Sequence, residues 1–454
     1  MPQVESFPNT QIDAASVLAG LSHALDLTEG HPRGHAERGC AIALRIADVI
    51  GLPDKQRGQL VYASLLKDAG CSSNAARVYE LFGGSDHDVK RAVWERDWRQ
   101  PTEQLMYALN WVERGGSVVT KFRRLATLAA LGSEGSREIF QIRCTRGAEV
   151  ARRVGLADDV QRAIHDMDEH WDGGGHPRGL KGDEIPLVAR IIGLAQVMEI
   201  FWGTDGAHGA IAVAHARSGR WFDPDLVHAV STFESDHAFW AGLTDASLAN
   251  RLAGEIPSTE ALSLTDASLD NVAEAFALII DGKSPYTYSH SRRVATYAVG
   301  LGRRLGLTEA QLVRLKRAAL VHDLGKLTVP NSILDKPAAL TDDEWTVMRR
   351  HTAFTFDILA RVPVFLELAL DAASHHEWLN GRGYHRGTSG DALSPEARIL
   401  AVADVMDALA ADRPYRKGLP PERVLAILRE GEGTQFAPAC LDACSVDLVQ
   451  GEAA

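Results

Sequence analysis

Apolar residues recur along this chain at intervals of three and four positions, and runs that alternate apolar and polar residues are almost absent. The first spacing places apolar side chains on one face of an α-helix, whereas alternation would indicate β-strands. We therefore predict an all-α fold. Helix starts are predicted at Ser284-Pro285 and Ser394-Pro395, and where Thr341 and Glu344 can form a capping box.

The chain contains an internal repeat. His35 stands 33 residues before Asp68, and His290 stands 33 residues before Asp323. Further along, "DEHWDGGGHPRGLKGDEIPLVARIIGLAQVMEIF" in the first half aligns with "HHEWLNGRGYHRGTSGDALSPEARILAVADVMDAL" in the second. Duplication explains these correspondences better than chance. The polar stretch 253–270 is the predicted linker, so residues 1–252 form one predicted domain and residues 271–454 another.

The first copy also carries an insert. There are 76 residues from Asp68 to Cys144 but only 28 from Asp323 to His351, which leaves 48 extra residues in the first copy. The insert includes the aromatic residues Trp94, Trp98, Tyr107 and Trp111. They predict either an interface or sensor surface, or simply the core of the insert itself.

Composition narrows the functional classes. The 48 basic and 60 acidic residues give a net charge of −12, which disfavours broad nucleic-acid or membrane-surface binding. No run approaches the ~20 apolar residues of a membrane span, and the first residues lack a signal-peptide pattern, so we expect a cytoplasmic protein. The five cysteines form no CxxC pair, and we interpret them as reduced thiols.

Seven side chains in the second half are candidate metal ligands. They are His290, His322, Asp323, His351, His375, His376 and Asp404. Imidazole and carboxylate groups suit iron, manganese and zinc, and one carboxylate can bridge two ions. Taken singly, each residue has a simpler interpretation, because a lone histidine on an apolar face is usually a hydrogen-bonded core residue and a helical aspartate is usually solvated.

The positions of His322 and Asp404 in their predicted helices favour metal binding over the simpler interpretation. His322 continues an apolar helical stripe with Leu315 and Ala319, and Asp404 continues one with Ala397 and Leu400. An uncompensated buried carboxylate is costly, and a bound cation supplies the opposite charge. We therefore predict that the pair "HD" is buried to hold metal.

Lys326 lies four residues after His322 and three after Asp323. If the helix continues, all three share one face, and the ammonium group could hold a phosphate oxygen. The simpler interpretation is an exposed lysine at the end of the helix, next to Gly325.

The segments "HDLGKLTVP", "HHEWLNGRGYHRG" and "ILAVADVMDALAADRPYR" resemble the HD-GYP subgroup of the HD phosphohydrolase superfamily. The resemblance implies tandem HD-type helical bundles and hydrolysis of cyclic di-GMP or a related cyclic dinucleotide, with iron or manganese as cofactor. It also implies a ligand division, in which one ion is served by His290, His322, Asp323 and Asp404, and the other by His351, His375 and His376. Asp323 would bridge the ions, with a hydroxide between them as nucleophile.

Further residues carry expected roles in substrate binding. Lys326 would add positive charge as the transition state forms, alongside the catalytic Asp323. Tyr384 offers a ring on which a base can stack, and Arg413 and Arg416 in "DRPYRKG" offer a basic patch for phosphate. A solvated loop is the simpler interpretation of that patch.

Two positions depart from the subgroup. His385 stands where the naming triplet has proline, and Asn380 stands where aspartate is common. Other cyclic dinucleotides, cyclic mononucleotides and broader phosphodiesters therefore stay open as substrates. Members of the family with three ions carry a glutamate one helical turn before the first histidine, and here that position is Tyr286, so we expect two ions.

The first half has lost most of the ligand set. His35 and Asp68 remain, but the other matching positions hold Lys67, Cys71, Cys144, Met167, Asp168 and Gln196. Two ligands cannot hold a cluster, so this copy is predicted to act by contact with the second half or with a second chain in a homodimer. A non-catalytic nucleotide-binding module is the competing hypothesis for the whole chain, and the complete ligand set of the second half favours an enzyme.

Overall fold

The structure is a computed structural model that describes residues 12–97, 100–114, 116–285, 287, 289–412 and 417–450. Its described part is built almost entirely of helices, which confirms the predicted all-α fold. The first half contains β1 (Ile12–Asp13), α1 (Ala14–Thr28), α2 (His35–Ile50), α3 (Asp54–Leu66), α4 (Ala75–Phe82), α5 (Asp86–Trp94), α6 (Pro101–Trp111), α7 (Val118–Val154), α8 (Asp158–Asp166), α9 (Leu187–Ala216), α10 (Pro224–Ser231), α11 (His237–Gly242) and α12 (Leu248–Gly254).

The second half repeats the helical pattern without the insert. It contains β2 (Ser263–Leu264), α13 (Asp266–Asp281), α14 (His290–Arg304), α15 (Glu309–Val321), α16 (Asn331–Leu334), α17 (Asp342–Arg349), α18 (His351–Leu359), α19 (Leu366–Ala373), α20 (Pro395–Ala410), α21 (Pro421–Glu430), α22 (Pro438–Asp442) and α23 (Val446–Val449). Short 3₁₀ helices lie at Cys71–Asn74, Gly182–Glu184, Leu324–Thr328, Pro363–Phe365 and Gly390–Ala392.

Two of the three predicted helix starts are confirmed. Ser394 caps α20 by accepting the Ala397 N–H, and Thr341 and Glu344 form the capping box of α17. The start at Ser284-Pro285 is wrong, because α14 begins only at His290. The Ser284 hydroxyl donates to Asp335 Oδ1 at 2.5 Å, so a tertiary contact uses the group that local reasoning assigned to a cap.

The two halves share one continuous apolar core. In this core α1 of the first half packs on α18 and on the 3₁₀ helix Leu324–Thr328, and α13 packs on α7. The strands β1 and β2 pair antiparallel, with Ile12 opposite Leu264. The predicted linker 253–270 therefore contains regular structure, namely the end of α12, the strand β2 and the first turn of α13. Separate folding of the two predicted domains stays a prediction.

The aromatic residues predicted to form a surface or a core in the insert are buried to different degrees, with Tyr107 and Trp111 half-buried. Trp94 is buried and lies edge-on to Phe140. Tyr107 and Trp111 pack against a small apolar cluster of the insert itself, and Trp98 lies outside the described residues. Of the two interpretations given for these aromatic side chains, the packing of Trp94, Tyr107 and Trp111 therefore favours the one in which they fill the protein core. Among the described residues of this region, the exposed large apolar side chains are Leu105, Met106, Leu109, Val118, Val119 and Phe122.

One helix, α9, is long and apolar enough to cross a membrane by length and composition alone. Of its most apolar 18-residue window, 61% is buried inside the protein. It packs along α2 in the first half, and a core helix of this kind passes the same test.

Candidate metal centre

All seven predicted ligands come together in one cluster within the second half. His290 opens α14, His322 and Asp323 follow the end of α15, and His351 opens α18. His375 and His376 follow α19, and Asp404 lies in the middle of α20. All are buried except His376, whose side chain is 25% exposed.

The loop after α15 reaches the cluster because Gly325 has no side chain. A Cβ at this position would lie 1.9 Å from the carbonyl oxygen of His351, so only glycine lets the loop pack directly on the start of α18. Thr355 fixes the same contact, since its hydroxyl accepts from Gly325 N and donates to the His322 carbonyl, both at 2.9 Å. Residues close to His322 and Asp323 in sequence thus position His351.

The two carboxylate oxygens of Asp323 face two different groups of histidines. Oδ2 lies 3.5 Å from His290 Nε2 and 3.4 Å from His322 Nε2. Oδ1 lies 3.6 Å from both His351 Nε2 and His375 Nε2. This is the arrangement that a carboxylate bridging two cations requires.

Asp404 completes the first group and touches the second. Its Oδ1 lies 3.4 Å from His290 Nε2 and 3.7 Å from His322 Nε2, and its Oδ2 lies 3.9 Å from His376 Nδ1. His351, His375 and His376 form a separate triad with ligand atoms within 4.8 Å of one another, as do His290, His322 and Asp404. Each triad offers the three protein ligands typical of an open catalytic site.

Outer hydrogen bonds orient the histidine rings. For His322, His351 and His375, Nδ1 lies 2.7 Å from the carbonyl oxygen of the residue three positions earlier. A carbonyl can only accept, so Nδ1 carries a proton and Nε2 is the nitrogen that faces the cluster. His290 achieves the same orientation through Asp407, whose Oδ2 lies 2.6 Å from Nδ1.

The interior of the cluster has unmet polar atoms. Among the described residues, His322 Nε2 and Asp323 Oδ1 are buried and have no hydrogen-bond partner. Burying such groups is unfavourable unless another ligand satisfies them. The donor set of imidazole nitrogens and carboxylate oxygens therefore fits divalent cations such as iron and manganese.

Electrostatics agree with this fit. Burial lowers the pKa of His351 to about 3 and the pKa of His376 to about 4, so both rings are neutral, the form that binds metal. Burial also opposes protonation of His322, yet the carboxylates of Asp323 and Asp404 raise its pKa to about 9. The two carboxylates thus strongly favour positive charge between them.

The residues predicted to bind substrate lie at different places relative to the cluster. Lys326 does not continue α15 as expected but lies in the 3₁₀ helix Leu324–Thr328, with Nζ 2.5 Å from Asp323 Oδ2. The Tyr384 ring lies at the edge of the cluster, 4.9 Å from the His376 ring. Arg413, Arg416 and Tyr286 lie outside the described residues.

Sequence reasoning missed Asp407 and Arg293. The Asp407 carboxylate is fully buried and accepts from His290 and from Arg293 Nε, the latter at 2.6 Å. The available signal was the second aspartate one helical turn after Asp404. The first copy repeats this arrangement, since Glu199 pairs with both His35 and Arg38.

In the first copy, cationic side chains occupy the corresponding interior. Lys67 pairs with Asp68, and Arg143 lies 3.3 Å from Asp68 and 3.2 Å from Asp168. The adjacent cavity, lined by Trp94, measures only about 20 Å³. Fixed positive charge on Lys67 and Arg143 thus compensates these carboxylates.

An all-α fold in which buried histidines and aspartates converge through an "HD" pair defines the class of HD-type metal-dependent phosphohydrolases. The chain belongs to the HD domain family, whose profile matches residues 127–226 and 274–440. It is a metal-dependent phosphodiesterase, and the resemblance to the HD-GYP subgroup is confirmed.

Individual relatives support this assignment. A 3'3'-cGAMP-specific phosphodiesterase of Vibrio cholerae serotype O1 is 40% identical over 94% of this chain and 93% of its own length. A cyclic di-GMP phosphodiesterase response regulator of Xanthomonas campestris is 37% identical over 45% of this chain and 56% of its own. A crystal structure of a cyclic GMP-AMP-specific phosphodiesterase of V. cholerae superposes with a TM-score of 0.66 at 37% identity, covering 97% of both chains.

Proposed function

We propose that the C-terminal half holds two divalent ions, iron or manganese, in a binuclear centre that hydrolyses a cyclic dinucleotide. One ion would be held by His290, His322, Asp323 and Asp404, and the other by His351, His375 and His376. The observation that carries this proposal is the orientation of Asp323, whose two oxygens face two histidine groups. Two bound ions would supply Lewis acidity toward the phosphate and lower the pKa of a water nucleophile.

The residues of the chain have distinct tasks in this proposal. The outer acceptors, including Asp407, hold each ring with its unprotonated nitrogen inward. Lys326 now pairs with Asp323, and because its side chain is partly exposed it can turn toward a phosphate oxygen where charge develops. Tyr384 lies where a base could stack next to His376. For Arg413 and Arg416, substrate binding remains a prediction from sequence.

The two departures in the glycine-rich loop make local contacts. His385 Nδ1 lies 3.1 Å from Thr352 Oγ1, and Asn380 Oδ1 accepts from Arg382 N at 3.0 Å. Neither contact removes a ligand from the centre. These residues are therefore compatible with the same chemistry.

Among cyclic dinucleotides, 3'3'-cGAMP is the first candidate, because the relative that matches 94% of the chain is named for it. Cyclic di-GMP is the second, since the relatives named for it match less than half of the chain. Cyclic mononucleotides and simple phosphodiesters are the alternatives.

The experiment is an assay of the purified full chain, loaded with Mn²⁺ or Fe²⁺, against 3'3'-cGAMP, cyclic di-GMP, cyclic AMP and bis(p-nitrophenyl) phosphate. We expect the highest kcat/KM on a cyclic dinucleotide and no turnover by Asp323→Asn. Equal rates on all four compounds would reject dinucleotide specificity. Full activity of Asp323→Asn would reject the proposed centre.

We further infer that the first copy is a non-catalytic partner in a cytoplasmic enzyme, with a homodimer through the N-terminal half as its expected assembly. The exposed apolar residues of α6 and the start of α7, among them Leu105, Val118 and Phe122, support a contact there. Light scattering of the wild type and of Val118→Ser/Phe122→Ser tests it. A monomeric wild type would reject the dimer.

A further inference from the structure

The insert of the first copy reaches into the second copy. Helix α5, which lies in the insert, begins at Asp86, and this side chain has no exposed surface. Asp86 Oδ1 accepts the backbone N–H of Asn331 at 2.8 Å. Asn331 opens α16, which follows the 3₁₀ helix that carries Lys326.

A buried lysine provides a second connection. Lys283 is 1% exposed, and its Nζ lies 3.6 Å from Asp86 Oδ2. The same Nζ donates to the Leu327 carbonyl at 3.1 Å and lies 3.0 Å from His87 Nε2. Leu327 directly follows Lys326, so the Asp86 carboxylate is linked to the segment after Asp323 at two points.

Both members of this pair are charged at neutral pH. Burial favours the neutral acid, but Lys283, His87 and Lys90 hold the pKa of Asp86 at about 2. Burial lowers the pKa of Lys283 to about 8, against the opposing effect of Asp86. The buried Asp86 carboxylate and the buried Lys283 ammonium group therefore each offset the cost of burying the other charge.

Asn331 joins the two connections into one network. Its Nδ2 donates to the Lys283 carbonyl at 2.8 Å and to Asp335 Oδ2 at 2.7 Å. Residues 324–331 are thus held at Leu327 and Asn331 by groups that converge on one carboxylate of the other half. The second copy has no equivalent of the insert and cannot supply this carboxylate itself.

We propose that Asp86 is a positioning residue for the C-terminal metal centre, which fixes residues 324–331 through Lys283 and Asn331 and thereby places Lys326. This inference rests on the proposed roles of Asp323 and Lys326. In this proposal the insert supports catalysis, because Asp86 of the first copy holds residues 324–331 of the second copy in place.

The alternative is that Asp86 contributes only to stability. A double-mutant cycle separates the two, because residues that act through one another are non-additive. The variants are Asp86→Asn, Lys326→Ala and their combination, assayed as full-length chains loaded with Mn²⁺. The matched control is Asp223→Asn, which breaks a buried pair with Arg190 (2.8 Å) within the first half.

We expect Asp86→Asn to lower kcat roughly 10- to 100-fold, as a misplacement of about 1 Å can do. Metal content should stay at the wild-type level, and Asp86→Asn should slow the Lys326→Ala enzyme by less than about twofold. Asp86→Glu should restore part of kcat, and Asp223→Asn should leave kcat unchanged at a temperature where all variants are folded. If Asp86→Asn does not fold, Lys283→Met reports on the same link, with the same expected loss and non-additivity.

Three outcomes overturn the proposal, and they distinguish the role of Asp86 from the role of Lys326. If Lys326→Ala is slow while Asp86→Asn keeps the wild-type kcat, or if the two losses multiply, Asp86 does not act through Lys326. If Lys326→Ala is itself fully active, the proposed role of Lys326 fails, and the inference fails with it.

Discussion

Asp407 offers a sharp test of the metal centre, because it acts on a ligand without being one. Its carboxylate accepts from His290 Nδ1 and Arg293 Nε, both at 2.6 Å, and from Arg293 Nη2 at 3.0 Å. In Asp407→Asn one oxygen becomes an amide donor that faces these donors. At least one of the three hydrogen bonds must therefore be lost, and the neutral amide holds the His290 ring less strongly than the carboxylate does.

The expected loss can be estimated. Removing an outer partner of a metal-binding histidine typically weakens metal binding 10- to 100-fold, which corresponds to about 1.4–2.7 kcal/mol. The loss of a hydrogen bond to a charged group should lower the free energy of unfolding by about 1.5–3 kcal/mol as well. Competition against a fluorescent chelator measures the Mn²⁺ affinity, and denaturant unfolding of the metal-free protein measures stability.

The internal repeat supplies the control. Glu199 makes the equivalent contacts to His35 and Arg38 in the first copy, so Glu199→Gln should lower stability by a similar amount and leave Mn²⁺ affinity unchanged. Unchanged affinity in Asp407→Asn, or an equal loss in Glu199→Gln, would refute the reasoning that His290 is a ligand oriented by Asp407.

Four further predictions address the centre and the two halves. Asp323→Ala should abolish both metal content and activity, while its circular dichroism spectrum should stay that of a helical protein. If the variant kept the metal content of the wild type, Asp323 would not be a metal ligand. Elemental analysis and anomalous scattering should find two ions per chain, and three fully occupied ions in the C-terminal half would contradict this. Because the pKa of Asp86 is about 2 against an ordinary value of 3.8, its stabilising effect is present above about pH 4 and lost as the pH falls toward 2. The stability difference between wild type and Asp86→Asn should therefore shrink over that range in denaturant titrations. Residues 1–252 alone should fold, bind no stoichiometric iron or manganese and hydrolyse nothing. Residues 271–454 alone should keep metal but lose activity, solubility or association. If this C-terminal fragment behaved like the full chain in all of these measurements, the regulatory role of the first half would be rejected.

The helical class, the repeat and the ligand candidates were readable from the sequence because each depends on local spacing or residue type. Apolar residues at threes and fours predict helices, and histidines and aspartates on apolar stripes predict buried ligands. The caps at Ser394 and Thr341 were correct for the same reason, since their partners lie three residues away. At Ser284 the prediction was wrong because its hydroxyl bonds Asp335, 51 positions later.

The tertiary structure alone decided how these residues act together. That Asp323 presents one oxygen to His322 and the other to His375 depends on where α15 and α19 meet, which no local pattern encodes. His290 and Asp407 are 117 positions apart, and Asp86 and Asn331 are 245 apart. Contacts at such separations form only when the shared core brings the helices together, because the burial of apolar faces, and not the polar residues themselves, fixes which helices become neighbours.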